Sequence, residues 1–139
     1  DIQAGDPATP LMRVYAGDRV RIRVQVGAHE EEHTFTIHGL KWKMEVNSPD
    51  SGWRTSVLAG ISEYMIFEMP MLPNVSANGN TNGNADYLYT MGAQVEDYWN
   101  GIWGILRSYA KLRNDLLPLP NKESGCTLQP SEMKADGFI

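Results

Sequence analysis

The sequence has 139 residues, of which 42% are hydrophobic, and this size predicts a single domain with one buried core. Its formal net charge is −5 and its twelve lysines and arginines are scattered, which argues against a nucleic-acid-binding surface. No apolar run approaches the roughly 20 residues that a membrane-spanning helix needs.

Regular alternation of apolar and polar residues is the main structural signal. Leu11 to Tyr15 and Arg19 to Val26 are predicted to be strands, the second with one buried face. Further strands are predicted at 33–38, 63–69, 86–91 and 104–109, with a short helical turn at 94–99. Many short strands separated by glycine and proline favour an antiparallel sandwich or barrel. We expect these side chains to face its interior: Val20, Ile22, Val24, Phe35, Ile37, Phe67 and Leu106.

The composition changes after Tyr109. Leucines and prolines alternate at 116–120, which predicts an extended rather than helical segment. We therefore predict one domain over residues 1–110 and an extended linker or C-terminal arm over 111–139. An extended segment cannot bury its own leucines, so the arm is expected to contact the sandwich, a neighbouring domain or another copy of the chain.

Two further features concern the chain as a whole. The N-terminus, Asp1-Ile2-Gln3, has no initiator Met and no signal-peptide pattern, and suggests a processed product or a piece of a longer protein. Cys126 is the only cysteine, so it forms no internal disulfide and no thiolate zinc site alone. It could meet a cysteine outside this sequence.

All three histidines lie within ten residues, at His29, His33 and His38. His33 and His38 are the candidate metal ligands, although a hydrogen-bonded strand residue and a turn residue are the simpler interpretations. Their positions have opposite parity, so on a regular strand the two side chains face opposite ways. One metal ion bound by both would need a bulge. His29 precedes three glutamates, for which a solvated acidic loop is simpler than a weak metal site.

Two segments have a recognisable order: His33-Thr34-Phe35-Thr36-Ile37-His38-Gly39, and Asp86 to Met91 followed by an aromatic run at 98–103. This order resembles the cupredoxin domains of multicopper oxidases, whose first motif usually reads His-Pro-x-His-x-His-Gly. Thr34 and Thr36 replace its proline and middle histidine. Thr90-Met91-Gly92 falls where the family has His-Cys-His, and Gly101-Ile102 falls near its Gly-Met pair. The wider string, roughly residues 6–110, is similar to a domain of large bacterial multicopper-oxidase-like proteins, including those linked to manganese oxidation.

The resemblance implies an all-β fold, a cupredoxin-like Greek-key β-sandwich with an extended C-terminal arm, and a secreted, periplasmic or cell-surface location. A type 1 copper needs a thiolate and two imidazoles. With Met91 at the thiolate position and Ile102 at the axial position, the resemblance implies that this domain binds no type 1 copper, although copper is possible in the parent protein. Thr36 also breaks the His-x-His pair that such domains contribute to a trinuclear cluster.

These observations predict a non-catalytic cupredoxin-like domain that supports neighbouring copper domains of a multicopper-oxidase-like oxidoreductase. The expected partners are neighbouring cupredoxin domains or another copy of the chain, with no nucleic acid and no membrane span. Two alternatives stay open. One is a copper-binding redox domain that uses His33 and His38. The other is a stand-alone β-sandwich ligand-binding module with an aromatic platform formed by Tyr87, Tyr89, Tyr98, Trp99 and Trp103.

Overall fold

Short strands account for most of the regular structure in this computed structural model, which describes residues 10–27, 32–70, 84–92 and 95–120. Described turns follow several of the strands, such as those at Gly17 and Gly39. The elements in chain order are β1 (Leu11–Tyr15), β2 (Arg19–Gln25), β3 (His33–Ile37), β4 (Trp42–Lys43), β5 (Trp53–Arg54), β6 (Ser56–Ala59), β7 (Tyr64–Pro70), β8 (Ala85–Thr90), α1 (Val95–Trp99) and β9 (Trp103–Tyr109).

The strands form two sheets. The first has the order β1-β9-β8-β3-β6 and the second the order β2-β7-β4-β5. Strands that follow one another along the chain, such as β1 and β2 or β2 and β3, lie in different sheets, so the chain crosses repeatedly from one sheet to the other. The prediction of antiparallel pairing needs one correction, because β1 and β9 are parallel, with Leu11 opposite Ile105. Both belong to distant parts of the chain, where no hairpin turn imposes antiparallel order.

The six predicted strands are present, with ends that differ by a residue or two, and the helical turn is α1. Strands β4, β5 and β6 were not predicted. The first two contain only two residues each, which is too short for alternation to be visible. No helix in the described part of the chain is long and apolar enough to cross a membrane.

Three aromatic rings join the two sheets at the centre of the core. Phe35 of β3 stacks on Phe67 of β7 with ring centroids 5.6 Å apart, and Trp42 lies 5.1 Å from Phe67. The predicted interior is confirmed. Phe35, Ile37, Phe67, Leu106 and Val24 are buried, and two half-buried residues, Val20 and Ile22, pack against them. Burying one such side chain contributes about 1.5–3 kcal/mol, so this cluster dominates the stability of the sandwich.

The described part of the arm, residues 111–120, lies against β1. The Tyr15 hydroxyl donates to the Leu116 carbonyl and accepts from the Arg113 amide at 3.1 Å. Arg13 of β1 contacts the Asp115 carboxylate at 2.7 Å, and Arg113 contacts it at 2.8 Å. Polar contacts therefore fasten the beginning of the arm to the sandwich. The remaining arm residues, including Cys126, lie outside the described residues.

The carboxylate of Asp115 provides a test of this attachment. Its hydrogen bonds with Arg113 and then Arg13 lower its pKa from 3.8 to about 2. Because the pKa is lowered, the contribution of Asp115 to the attachment is fully present above pH 4 and is lost as the pH falls toward 2. We expect NMR titration of the carboxyl carbon to give a midpoint near 2. Arg13→Gln, which removes the contact with β1, should move that midpoint toward 3.8, whereas Lys111→Gln should leave it unchanged. A midpoint near 3.8 in the unmodified chain would mean that the arm is detached.

Candidate functional site

Strand β3 places His33 inside the sandwich. The buried residues of this strand are His33, Phe35 and Ile37, and the two threonines between them face the other way. His33 is only 6% exposed and lies where β3 begins, opposite Ala59 of β6. A buried imidazole needs polar partners, because a polar group removed from water without them costs several kcal/mol. The side chains around His33 therefore form a candidate functional site.

Asp97 of α1 is the polar neighbour of His33. The His33 Nδ1 atom lies 3.2 Å from the Asp97 Oδ1 atom, and Asp97 is itself only 7% exposed. The two atoms are in contact, and the carboxylate gives this buried ring a polar neighbour. This pair joins β3 to the segment between β8 and β9. We call it the His33–Asp97 clasp.

The loop that carries Asp97 is built closely around this carboxylate. The Ile102 amide donates to the Asp97 carbonyl at 2.9 Å, and the Met91 amide donates to the Ile102 carbonyl at 3.2 Å. Gly101 closes the turn with a positive φ of 73°, which suits glycine. A Cβ atom at Gly92 would overlap with the side chain of Asp97. A side chain at position 92 is therefore incompatible with the observed position of Asp97.

His38 lies at the other end of β3. It is exposed in a turn, and its amide donates to the Leu88 carbonyl at 2.9 Å. Gly39 follows with a positive φ of 86°. At about 3.3 Å per residue, five residues separate His33 from His38 by about 16 Å. The pairing of β3 with β6 runs in continuous register from His33 to Thr36. The structure therefore does not bring the two candidate metal ligands together.

The positions that resemble copper-ligand positions lie near the clasp. Thr36 of β3 pairs with Thr90, the last residue of β8, so Met91 and Gly92 continue toward the His33 end of β3. Met91 packs against the core, and Thr90 is buried. Among the described residues, no group of three or more His, Cys, Asp and Glu side chains is arranged to hold a metal ion. His29 and Cys126 fall outside those residues.

Asp97 is the main site residue that sequence reasoning missed. Nothing in the sequence distinguishes it from Glu96, because both are acidic residues in the same short turn. The one weak signal was Gly92. Its backbone has no positive φ that would favour glycine, but a side chain there would overlap with Asp97. The glutamates and aspartates of a loop give no indication by themselves of which one points inward.

The proposed aromatic platform is divided between the interior and the surface. Tyr87 and Tyr89 are half-buried and pack against the core, and burial raises the pKa of both hydroxyls. Trp99 is 81% exposed and Tyr98 is also exposed, both on α1. Trp103 begins β9 and is half-buried. The five rings therefore do not share one face, and only Tyr98 and Trp99 are open to a partner.

Comparison with known proteins gives a result at the level of structure only. The sequence matches no family model and no curated protein. The multicopper oxidase McoA from the hyperthermophile Aquifex aeolicus is similar, with a TM-score of 0.57 and 19% identity over 77% of this chain. The copper-containing nitrite reductase from Thermus scotoductus has a TM-score of 0.53 and 20% identity over 78% of this chain. Another multicopper oxidase has a TM-score of 0.53 and 14% identity over 70% of this chain.

The chain spans only 23% of the length of McoA and 23% of the nitrite reductase, and 32% of the other oxidase. At identities this low, the similarity concerns the fold and not the activity. Two packed sheets, the sheet order and these structures agree with the fold predicted from the sequence. The chain has a cupredoxin-like β-sandwich fold.

Proposed function

We propose that this chain is a non-catalytic cupredoxin-like domain of a multicopper-oxidase-like protein, in which the His33–Asp97 clasp stands where related domains hold copper. One observation carries the proposal: the Asp97 carboxylate lies 3.2 Å from the His33 Nδ1 atom, in the space beside β3 and the β8–β9 loop. His33 is the residue that matches the first histidine of the family motif. In this domain, its ring contacts a carboxylate of its own chain.

The side chains near the clasp do not fit a type 1 copper. Such a site needs a cysteine thiolate and two imidazoles, usually with a weak axial ligand. The described residues at this end offer one imidazole from His33, one carboxylate from Asp97 and one thioether from Met91. Ile102 stands at the axial position and has no donor atom in its side chain. The proposal therefore includes no copper-dependent step in this domain.

The proposed supporting role rests on the packed core and the closed end of the domain, which do not depend on copper. A domain with a stable core and a closed end can hold neighbouring domains in place by packing against them. That the chain spans about a quarter of McoA is compatible with such a place in a longer polypeptide. The proposal includes an extracytoplasmic location, the group linked to manganese oxidation, and a domain boundary near residue 110. These three parts rest on the sequence resemblance.

Two alternatives stay as predictions. Metal binding by His33 and His38 would require each imidazole to act separately, because the two lie at opposite ends of β3. A stand-alone ligand-binding module is supported by the exposure of Tyr98 and Trp99. Both alternatives differ from the main proposal in what happens when copper or a ligand is added to the isolated chain.

Copper addition is the first test. Purified protein titrated with Cu(II) should develop no intense blue absorption, because no thiolate lies among the described residues near His33. Any weak Cu(II) signal from the two histidines at the ends of β3 in electron paramagnetic resonance should disappear in His38→Ala and persist in His33→Ala, since His38 is the exposed one of the two. Cys126→Ser is the matched control for the lone thiol. An intense blue band that survives Cys126→Ser would overturn the proposal.

Gly92 offers a test of the clasp itself. Gly92→Ala should destabilise the domain by about 1–3 kcal/mol in urea unfolding, because its methyl group displaces the Asp97 carboxylate. Gly27→Ala is the matched control. A Cβ at Gly27 meets nothing within 4 Å, and the change should stay within about 1 kcal/mol.

The cause of that loss can be isolated with a double-mutant cycle. Asp97→Ala removes the clasp and the overlapping carboxyl group and leaves only the Cβ of residue 97, 2.8 Å from a Cβ at position 92. Gly92→Ala should therefore cost less in the Asp97→Ala background than alone. Equal costs in the two backgrounds would show that Gly92 does not act through Asp97. In that case, the account of the loop would be wrong.

A further inference from the structure

One end of the sandwich exposes a group of large apolar side chains. Ala59, at the end of β6, pairs with His33, and Asp97 of α1 contacts the same histidine, so the β6–β7 turn and α1 lie together. Tyr64 belongs to this end because it pairs with Gln25 at the end of β2. We call it the aromatic end. Its exposed apolar side chains, from 43% to 81% exposed, are Leu58, Ile61, Tyr64, Val95, Tyr98 and Trp99.

The charges of the aromatic end have one sign. Its described segments contain two exposed glutamates, Glu32 and Glu63, whereas Asp97 is buried against His33. No lysine or arginine of the described chain lies in those segments, which are 10–11, 25–27, 32–33, 58–64, 90–92 and 95–103. This end therefore combines exposed apolar area with negative charge. Large exposed apolar patches are rare on monomeric proteins, and where they occur they often mark interaction sites.

A second surface, with exposed leucines and several arginines, lies where the arm meets the other end of β1. Leu117 is 90% exposed there, and Leu112 and Leu119 are about half exposed. A groove of about 280 Å³ lies between the arm and the turn that joins β1 to β2. We call this region the arm surface. Its lining includes Arg13, Arg19, Arg21, Leu116, Leu117 and Leu119.

The arm surface is positively charged. Arg19 and Arg21 share one carboxylate, that of Glu68, and Arg13 and Arg113 share that of Asp115. Each carboxylate thus serves two guanidinium groups. Asp18, the remaining acidic residue of the groove, is buried. A partner surface with apolar side chains and acidic residues would complement this region in both respects.

One copy of the chain cannot bring its own two surfaces together. Leu11 at the start of β1 lies near the aromatic end, whereas Tyr15 at the end of β1 anchors the arm. The parallel pairing of β1 with β9 holds both in one packed sheet. At the aromatic end, the His33–Asp97 clasp holds α1 against β3 of the same sheet. The two surfaces therefore occupy separate parts of one rigid body, and their contact needs a second molecule.

We propose that the aromatic end of one copy of this chain binds the arm surface of a second copy, head to tail. Trp99 packs on Leu117 and Leu119, and the two exposed glutamates of the aromatic end face the arginines of the arm surface. Trp, Tyr and Arg are the residues that contribute most often to binding hot spots. The rings of Tyr98 and Trp99 lose little conformational entropy on binding, and guanidinium groups also bind aromatic faces. This inference does not rest on the proposed loss of copper ligands.

A head-to-tail contact has a recognisable assembly behaviour. Each copy keeps one free aromatic end and one free arm surface, so copies add until a ring closes or an open chain forms. The acidic and basic residues at the rim make the association faster at low salt, and the apolar contacts keep part of the affinity at high salt. A symmetric dimer, in contrast, would stop at two copies.

Sedimentation velocity on the full 139-residue chain, between 1 and 200 μM (about the range of weak specific contacts), tests the proposal. The unmodified chain should form oligomers larger than dimers. Trp99→Ser and Leu117→Ser should each weaken association about tenfold or more. Mixing these two variants should restore a 1:1 dimer and nothing larger, since one keeps the arm surface and the other keeps the aromatic end.

Both substitutions are at exposed positions, so circular dichroism spectra should stay unchanged and report intact folding. Trp53→Ser, which removes a 39% exposed tryptophan on β5, is the matched control and should associate like the unmodified chain. Three results would overturn the proposal: a monomer at all concentrations, a mixture of the two variants that stays monomeric, or association that Leu117→Ser leaves unchanged. The last would indicate contact between two aromatic ends.

Discussion

The two-residue period of a β-strand places an imidazole inside this protein. His33 shares the inward face of β3 with Phe35 and Ile37, and these two cannot leave the core without losing the contacts that join the sheets. The ring of His33 is therefore buried by its neighbours in sequence. A buried polar ring needs polar partners, and Asp97 lies within 3.2 Å of it. The β8–β9 loop carries this carboxylate to the ring, and backbone hydrogen bonds such as that from the Ile102 amide to the Asp97 carbonyl hold the loop in shape.

The same short helix has two roles. Its Asp97 points inward to the clasp, while Tyr98 and Trp99, the next two residues, are exposed at the surface. A loop fixed from inside presents its outer side chains in one arrangement, and less entropy is then lost when a partner binds. The five-residue helix α1 thus connects the buried contact between Asp97 and His33 with the exposed rings of Tyr98 and Trp99. A domain without copper of its own can still contribute to an assembly in this way.

Sequence reasoning reached the strands with visible alternation, such as β1 and β2, and the core residues that this alternation implies. It missed β4 and β5, because two residues show no period and their pairing depends on β7, which is distant in sequence. The opposite parity of His33 and His38 predicted that they face opposite ways on a regular strand, and β3 is regular from His33 to Thr36. Asp97 was out of reach, since only the three-dimensional path of the loop brings its carboxylate to His33. The parallel pairing of β1 with β9 likewise depends on the whole fold.

The central claim is that the His33 ring contacts Asp97 and not copper. A crystal structure of the chain grown with excess Cu(II), with anomalous scattering recorded at the copper edge, tests it most directly. The account predicts Asp97 against the Nδ1 atom of His33, as in the unloaded chain, and no anomalous peak within bonding distance of that ring. A copper peak bonded to His33, with Asp97 displaced from the ring, would contradict it.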